Sequence, residues 1–149
     1  MSKQLARVLD VEQKKEQQLC RSFEQAQAEV RQQTQRLSGL QQYRINYLRQ
    51  VLERAASGMG SSTLSHYHKF VATLETAEQK QQELITNLQQ KMNNYRQAWL
   101  KQKTRCEAIA KVLENRRNEA AIAAERKEQK VMDEFTSQQF FRRKNLVLA

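Results

Sequence analysis

Proline is absent from this 149-residue chain, and glycine occurs only three times. Because these two residues are the usual breakers of regular structure, their scarcity excludes a fold of many short elements joined by turns. Strong helix formers, namely Leu, Ala, Glu, Lys, Arg and Gln, supply most of the chain instead. A hydrophobic fraction of 39% and a mean hydropathy of -0.87 are low for a globular core. The composition therefore predicts long helices that share a thin apolar seam.

Several functional classes are excluded by what is missing. No apolar run is long enough to span a membrane, and the start of the chain, "MSKQLARVLDVEQKKEQQ", lacks the apolar region of a secretion signal. The two cysteines, Cys20 and Cys106, show no metal-site spacing, and antiparallel pairing would hold them about 10 Å apart, too far for a disulfide. We expect a cytosolic, reduced protein with both cysteines acting as small buried side chains.

Signatures of catalysis are also missing. The chain has no Gly-rich phosphate loop, no HExxH sequence and no paired cysteines. His66 and His68 are two residues apart, so they point to different sides of a helix and make a poor metal pair. We therefore predict a protein that is not an enzyme and that uses no metal or cofactor.

The apolar residues that are present follow a repeat of 3.5 residues. Steps of four and three from Leu5 reach mostly apolar or aromatic positions as far as Val51, and the same stepping from Tyr67 does so through most of the second half. A repeat of this length predicts a coiled coil. Between the two halves lies "RAASGMGSSTLS", which contains Gly58 and Gly60. Gly58 can supply a left-handed helix cap, and Ser61, Ser62 or Thr63 can cap the next helix.

The predicted fold is all-α, with two long helices forming an antiparallel coiled-coil hairpin and a C-terminal helical overhang. We expect a single domain over residues 1–149, with a helix over about 3–56, a turn over about 57–62, a helix over about 63–139 and a flexible tail over 140–149. Residues beyond about Asn115 would then lack a partner in the hairpin. They keep an apolar stripe of Ala120, Ile122 or Ala123, Val131 and Phe135, which favours docking on a partner, with self-association or fraying as the alternatives.

Charge and aromatic residues suggest two binding surfaces. The net charge is +10, and eight basic residues against two acidic ones, Glu107 and Glu114, lie between Lys91 and Arg117. Such a stretch suits nucleic acid, an acidic membrane or an acidic protein, or is a solvated helix face. Near the turn, an apolar group is too wide for one seam, and it is either a partner site or a widened core. This group consists of Tyr43, Tyr47, Tyr67, Phe70 and Leu74.

Three stretches carry a family resemblance: "LQQYRINY" at 40–47, "YHKFVATLETA" at 67–77 and "AERKEQKVMDEF" at 124–135. With them the whole chain resembles the FliJ family of flagellar export proteins. The resemblance implies a non-enzymatic, stalk-like component of the flagellar type III export apparatus. The implied partners are the hexameric export ATPase, the cytoplasmic region of the export gate protein FlhA, and export chaperones, with no nucleic acid. The implied location is the cytoplasm, peripherally at the inner membrane at the flagellar base.

The resemblance also implies two sets of contact residues. The export-gate set is Leu40, Tyr43, Tyr47, Phe70, Leu74, Ala77 and Gln81, where the family often has a histidine at the position of Gln81. The stalk analogy places the overhang in the ATPase ring, and the expected contacts there are Arg126, Lys127, Val131, Met132 and Phe135. Two other functions fit the residues: a basic helical hairpin that binds nucleic acid, and a holdase-type chaperone that grips apolar segments with the aromatic residues near the turn.

Overall fold

Two long helices make up the computed structural model, which describes residues 2–58 and 60–148, without the side chain of residue 148. Helix α1 runs over Ser2–Ala56 and helix α2 over Ser61–Leu148, and the two pack against each other as an antiparallel hairpin. The predicted all-α coiled-coil hairpin is confirmed. The packing divides into two units: the turn unit, residues 14–102, and the terminal unit, residues 1–13 with 103–149.

The reversal between the helices depends on Gly58. Its φ of 94° lies in the left-handed region, where a side chain would be strained, and its N–H donates to the Ala55 carbonyl at 3.3 Å. The predicted glycine cap of α1 is therefore confirmed. At the start of α2 the Leu64 N–H donates to the Gly60 carbonyl at 3.1 Å, which puts Gly60 at the N-cap.

The serines and the threonine that we expected to cap α2 lie instead inside its first turn. Helix α2 begins at Ser61, so Ser61, Ser62 and Thr63 already have helical backbone. The helix begins earlier than predicted because Gly60, which pays no steric cost at a cap, takes the N-cap position.

The seam between the helices follows the predicted repeat. Every position reached by stepping from Leu5 to Val51 is buried or half-buried. On α2 the same holds from Tyr67 as far as Leu113. In the turn unit the buried apolar side chains are Leu37, Val51, Val71, Leu74 and Ile85. Further along this unit Phe23 stacks on Trp99, with ring centroids 5.8 Å apart and planes 13° apart.

Polar residues that interrupt the apolar repeat are also members of the seam. Gln33 is buried, and the Gln81 amide donates to its side-chain oxygen at 2.7 Å and to its backbone carbonyl at 3.0 Å. Arg44 Nε lies 2.8 Å from Glu78 Oε1. Since each of these polar side chains has a partner on the other helix, these positions do not break the hairpin.

The terminal unit contains its own short piece of seam. Cys106 and Leu113 are buried, and Leu5 and Leu9 are half-buried. Glu12 is 6% exposed, and its carboxylate lies 3.6 Å from Arg105 Nε. Burial of Cys106 agrees with the expectation of a small buried side chain, and neither described cysteine forms a disulfide.

The overhang, defined here as residues 114–147, is exposed at every position. The expected helix end near residue 139 is wrong, because α2 continues to Leu148, and residue 149 of the expected tail lies outside the described residues. The physical reason is that residues 140–148, "FFRRKNLVL", contain no Gly or Pro, so the backbone has no local cause to leave the helix. The predicted loss of partners beyond about Asn115 agrees with the end of burial at Leu113.

Candidate protein-interaction sites

An aromatic cluster joins the two helices next to the turn. We define it as Tyr43 and Tyr47 of α1 with Tyr67 and Phe70 of α2. Tyr47 is central: its ring centroid lies 4.7 Å from that of Phe70 and 5.3 Å from that of Tyr67. Tyr43 lies 6.4 Å from Tyr47 and 6.5 Å from Phe70, the latter edge to face. Pairs of this kind contribute beyond simple burial.

Helix spacing explains why these four rings meet. Tyr43 and Tyr47 are four residues apart, and Tyr67 and Phe70 are three apart, so each pair lies on one side of its own helix. Tyr47 and Tyr67 occupy seam positions and are half-buried, whereas Tyr43 is 54% exposed and Phe70 37% exposed. The cluster is thus core on one side and open surface on the other.

Polar neighbours shape the electrostatics of the cluster. Burial raises the pKa of the Tyr47 hydroxyl, and the nearby Tyr67 and Tyr43 hydroxyls raise it further. Arg54 donates to the Tyr67 hydroxyl and lies 5.9 Å from the centroid of that ring. The hydrogen bond from Arg44 to Glu78 raises the pKa of the Arg44 guanidinium, which stays charged.

The other residues implied as gate contacts have less free surface. Leu74 is 8% exposed and belongs to the seam, and the Gln81 side chain is held by Gln33. Leu40 and Ala77 are half-buried. Of the seven residues in the implied gate set, Tyr43 and Phe70 are exposed, and the other five are buried or half-buried.

The overhang presents the second candidate surface. Val131, Met132 and Phe135 are 58%, 65% and 58% exposed, and their spacing places them on one side of α2. Lys127 and Val131 line one shallow depression together with Met132. We call this side of the helix the mid-overhang face.

Arg126 does not join the mid-overhang face. At roughly 100° per residue it lies about 140° from Val131 and about 180° from Phe135 around the helix axis. The structure therefore brings four of the five implied ATPase contacts together and places Arg126 on the other side of α2.

Sequence reasoning missed the apolar residues at the end of α2. Phe140 and Phe141 are 65% and 63% exposed, and Leu146 and Val147 are also exposed. The signal that could have found them was present: two phenylalanines followed by "RRK" with no helix breaker. These residues were not considered as a binding surface because residues 140–149 were expected to form a flexible tail.

Other features of the described residues give no sign of a catalytic or metal centre. His66 and His68 are exposed, and no group of three or more His, Cys, Asp or Glu side chains in residues 2–58 and 60–148 is placed to hold a metal ion. In the same residues, neither helix has a stretch both apolar and long enough to cross a bilayer. What the described chain does offer is exposed apolar and aromatic surface on paired helices.

These observations define the class of protein: an all-α helical hairpin with exposed apolar and aromatic surface. The chain belongs to the FliJ family, because the family model described as "Flagellar FliJ protein" matches residues 1–145. Membership makes it a component of the flagellar protein export apparatus.

Two curated relatives agree with this assignment. The Flagellar FliJ protein of Escherichia coli (strain K12) is 25% identical over 139 residues, which cover 93% of this chain and 95% of that protein. The Flagellar FliJ protein of Salmonella typhi is 30% identical over 110 residues, covering 73% of this chain and 74% of that protein. No solved structure matches the chain significantly.

Proposed function

We propose that the chain is a non-enzymatic coupling protein of the flagellar export apparatus. In this proposal the aromatic cluster contacts the cytoplasmic region of the export gate protein FlhA, and the overhang contacts the hexameric export ATPase. Family membership supports the general role. The two surfaces, both exposed and apolar, support the assignment of a separate contact to each.

The gate contact is argued from the open side of the aromatic cluster. Tyr43 and Phe70 have their rings braced by Tyr47, so they lose little freedom when a partner covers them. Aromatic side chains held rigid in this way are typical anchors of protein interfaces. We propose Tyr43 and Phe70 as the direct contacts, with Tyr47 holding their rings in place. The other residues of the implied set, Leu40, Leu74, Ala77 and Gln81, are buried or half-buried in the hairpin.

The ATPase contact is argued from the overhang. A helix that exposes a continuous apolar strip to water gains free energy when a partner covers that strip. The mid-overhang face contains three such side chains beside the cation of Lys127. Because α2 also contributes Phe70 to the aromatic cluster, one continuous helix contains residues of both proposed contacts.

The single observation that carries the proposal is the exposure of every described side chain of α2 after Leu113 in a chain of this family. The first test is the ATP hydrolysis rate of the export ATPase from the same organism, with and without the purified full chain. We expect stimulation by the full chain and weaker stimulation by a chain truncated after Asn115.

A point variant sharpens this test. Val131→Gln, Met132→Gln and Phe135→Gln together should reduce stimulation, because they remove apolar surface while keeping good helix formers. The control is Leu84→Gln with Val112→Gln, which makes the same kind of change at two exposed apolar side chains, 42% and 43% exposed, outside both surfaces. Full stimulation by the first variant, or no binding of the native chain at micromolar concentration, would reject the ATPase contact.

The gate contact has its own test. Tyr43→Ala with Phe70→Ala should abolish binding to the cytoplasmic region of FlhA and leave the circular dichroism of the helices unchanged. A loss of helicity would show instead that the cluster acts only as core. If the native chain binds neither partner but binds nucleic acid with steep salt dependence, the basic stretch from Lys91 becomes the functional surface.

The proposal includes two further elements that the family resemblance implies. One is the binding of export chaperones, to which we assign no residues. The other is a position in the cytoplasm at the inner membrane of the flagellar base, reached through these partners. Fractionation of cells with and without the gate protein tests the position, and pull-down with individual export chaperones tests the binding.

A further inference from the structure

The last two turns of α2 combine exposed apolar side chains with a concentration of positive charge. We define the terminal segment as residues 140–147. It presents Phe140, Phe141 and Val147 to solvent, the last of them 85% exposed. It also contains three consecutive cations, Arg142, Arg143 and Lys144. The segment itself contains no acidic residue, and the nearest preceding carboxylates, Asp133 and Glu134, line a depression with Phe141.

The apolar residues of the terminal segment form a face distinct from the mid-overhang face. At roughly 100° per residue, Phe140, Phe141 and Val147 fall within an arc of about 120°. The centre of this arc lies nearly opposite the side that presents Val131 and Phe135. Leu146 lies outside the arc. The two faces are therefore separate surfaces of α2.

Two of the three cations lie at this apolar arc. Phe140 and Val147 line one shallow depression with Arg143 and Lys144. Lys144 lies within the arc, where its alkyl stem can rest on apolar groups while its ammonium reaches outward. Arg142 lies about 160° from the centre of the arc, on the far side of the helix. Apolar side chains and two cations on one exposed face complement an anionic surface with an apolar interior.

We propose that the terminal segment binds the surface of an anionic lipid bilayer. Phenylalanine and valine side chains enter the boundary between headgroups and acyl chains, and Arg143 and Lys144 contact lipid phosphates, as in interfacial amphipathic helices. The helix lies on the membrane and does not cross it. This inference is independent of the proposed contacts with FlhA and the ATPase, since it uses neither of those residue sets.

The test is flotation of the full chain with lipid vesicles. Vesicles that contain phosphatidylglycerol should carry the chain to the top of the gradient, pure phosphatidylcholine vesicles should not, and added salt should weaken the binding. Arg143→Gln with Lys144→Gln should weaken binding to the anionic vesicles about twenty-five-fold, at about one factor of five per charge. Phe140→Ser with Phe141→Ser should weaken it as well.

The matched control removes the same charge from another part of the overhang. Arg116→Gln with Arg117→Gln should keep vesicle binding, since these exposed cations lie outside the terminal segment and have no phenylalanine near them in the sequence. Equal loss in this control would overturn the proposal in favour of general charge attraction. Failure of the native chain to float with anionic vesicles would also overturn it.

A protein partner is the competing occupant of the terminal segment. If the terminal variants keep vesicle binding but lose stimulation of the export ATPase, the segment is a protein contact and the lipid proposal is wrong. If they lose vesicle binding and keep stimulation, the lipid site is separate from the proposed function. Vesicle flotation and ATPase stimulation, measured on the same proteins, therefore distinguish failure of the lipid proposal from failure of the proposed ATPase contact.

Discussion

At the scale of single residues, the polar members of the seam show how this hairpin tolerates hydrophilic side chains between its helices. Gln33 and Gln81 bond to each other, and Arg44 pairs with Glu78, so the cost of removing them from water is offset by a partner. Polar pairs at such positions also favour one register of the two helices over shifted ones, since a shift would separate them.

The Gln33–Gln81 pair gives the first prediction. Gln81→Ala should lower the free energy of unfolding by about 1 to 2 kcal/mol, because it leaves the buried Gln33 amide without this partner. The double variant Gln33→Leu with Gln81→Leu should recover that loss, since it replaces both polar groups with apolar contact. Urea unfolding followed by circular dichroism measures both. A neutral Gln81→Ala would mean that the pair contributes nothing to stability.

Tyr47 gives a prediction on pH. Its hydroxyl has a pKa raised above the ordinary value of 10.0, mainly by burial, so the folded state holds the proton more tightly than the unfolded state. This stability is fully present below about pH 10 and is lost as the pH rises through the folded pKa. The thermal midpoint should fall above pH 10 more in the native chain than in Tyr47→Phe. Parallel curves for the two proteins would contradict the assignment to Tyr47.

At the scale of the elements, the reversal and the helix interior use glycine for opposite reasons. Gly58 takes a left-handed conformation that ends α1, so the residue is required there. Gly39 lies inside α1 and is exposed, and a methyl group added at its α-carbon would meet no atom within 4 Å. Its presence costs the helix backbone entropy with no gain in packing.

These two glycines form a matched pair of variants. Gly58→Ala should lower the free energy of unfolding by about 1 to 2 kcal/mol, because alanine is strained at a positive φ. Gly39→Ala should raise it by about 0.5 to 1 kcal/mol, because alanine is the better helix former. Thermal unfolding of both under one condition checks the opposite signs. Destabilisation by Gly39→Ala would show a packing role for that position that the structure does not suggest.

At the scale of the whole molecule, the packed part and the fully exposed part of α2 are separate stretches of the helix. The buried part of the helix ends at Leu113, and the overhang is exposed throughout. A helix without tertiary packing is held mainly by its own hydrogen bonds, which are marginal in water, whereas the seam adds apolar burial. The overhang should therefore be the least protected part of the chain until a partner covers it.

Hydrogen exchange tests this separation. Amides of the overhang should exchange much faster than those of the seam positions before Leu113, since local opening of the overhang breaks no tertiary contact. Truncation after Asn115 should leave the cooperative unfolding midpoint nearly unchanged and remove only helical signal. A large fall in that midpoint would show that the overhang stabilises the hairpin.

Much of the fold was predictable from sequence because its signals are local. The repeat of 3.5 residues that starts at Leu5 predicts the seam positions correctly, including those occupied by the polar residues Gln33 and Arg44. The end of α2 was not predicted, because "FFRRKNLVL" lacks a breaker but also lacks the repeat. The sequence also did not predict which residues of the candidate gate site are exposed. Tyr43 is exposed and Leu74 is buried because of what the opposite helix places against each of them.

The sequence by itself determined the helical class, the seam positions, the reversal at Gly58 and the family. Each of these is a property of residue type and spacing along one segment, which no distant contact needs to decide. Only the tertiary structure decided which polar seam residues pair, where burial on α2 stops, and which cluster rings stay open to solvent. These depend on what lies opposite each side chain, because burial and hydrogen bonding are satisfied between helices and not within one.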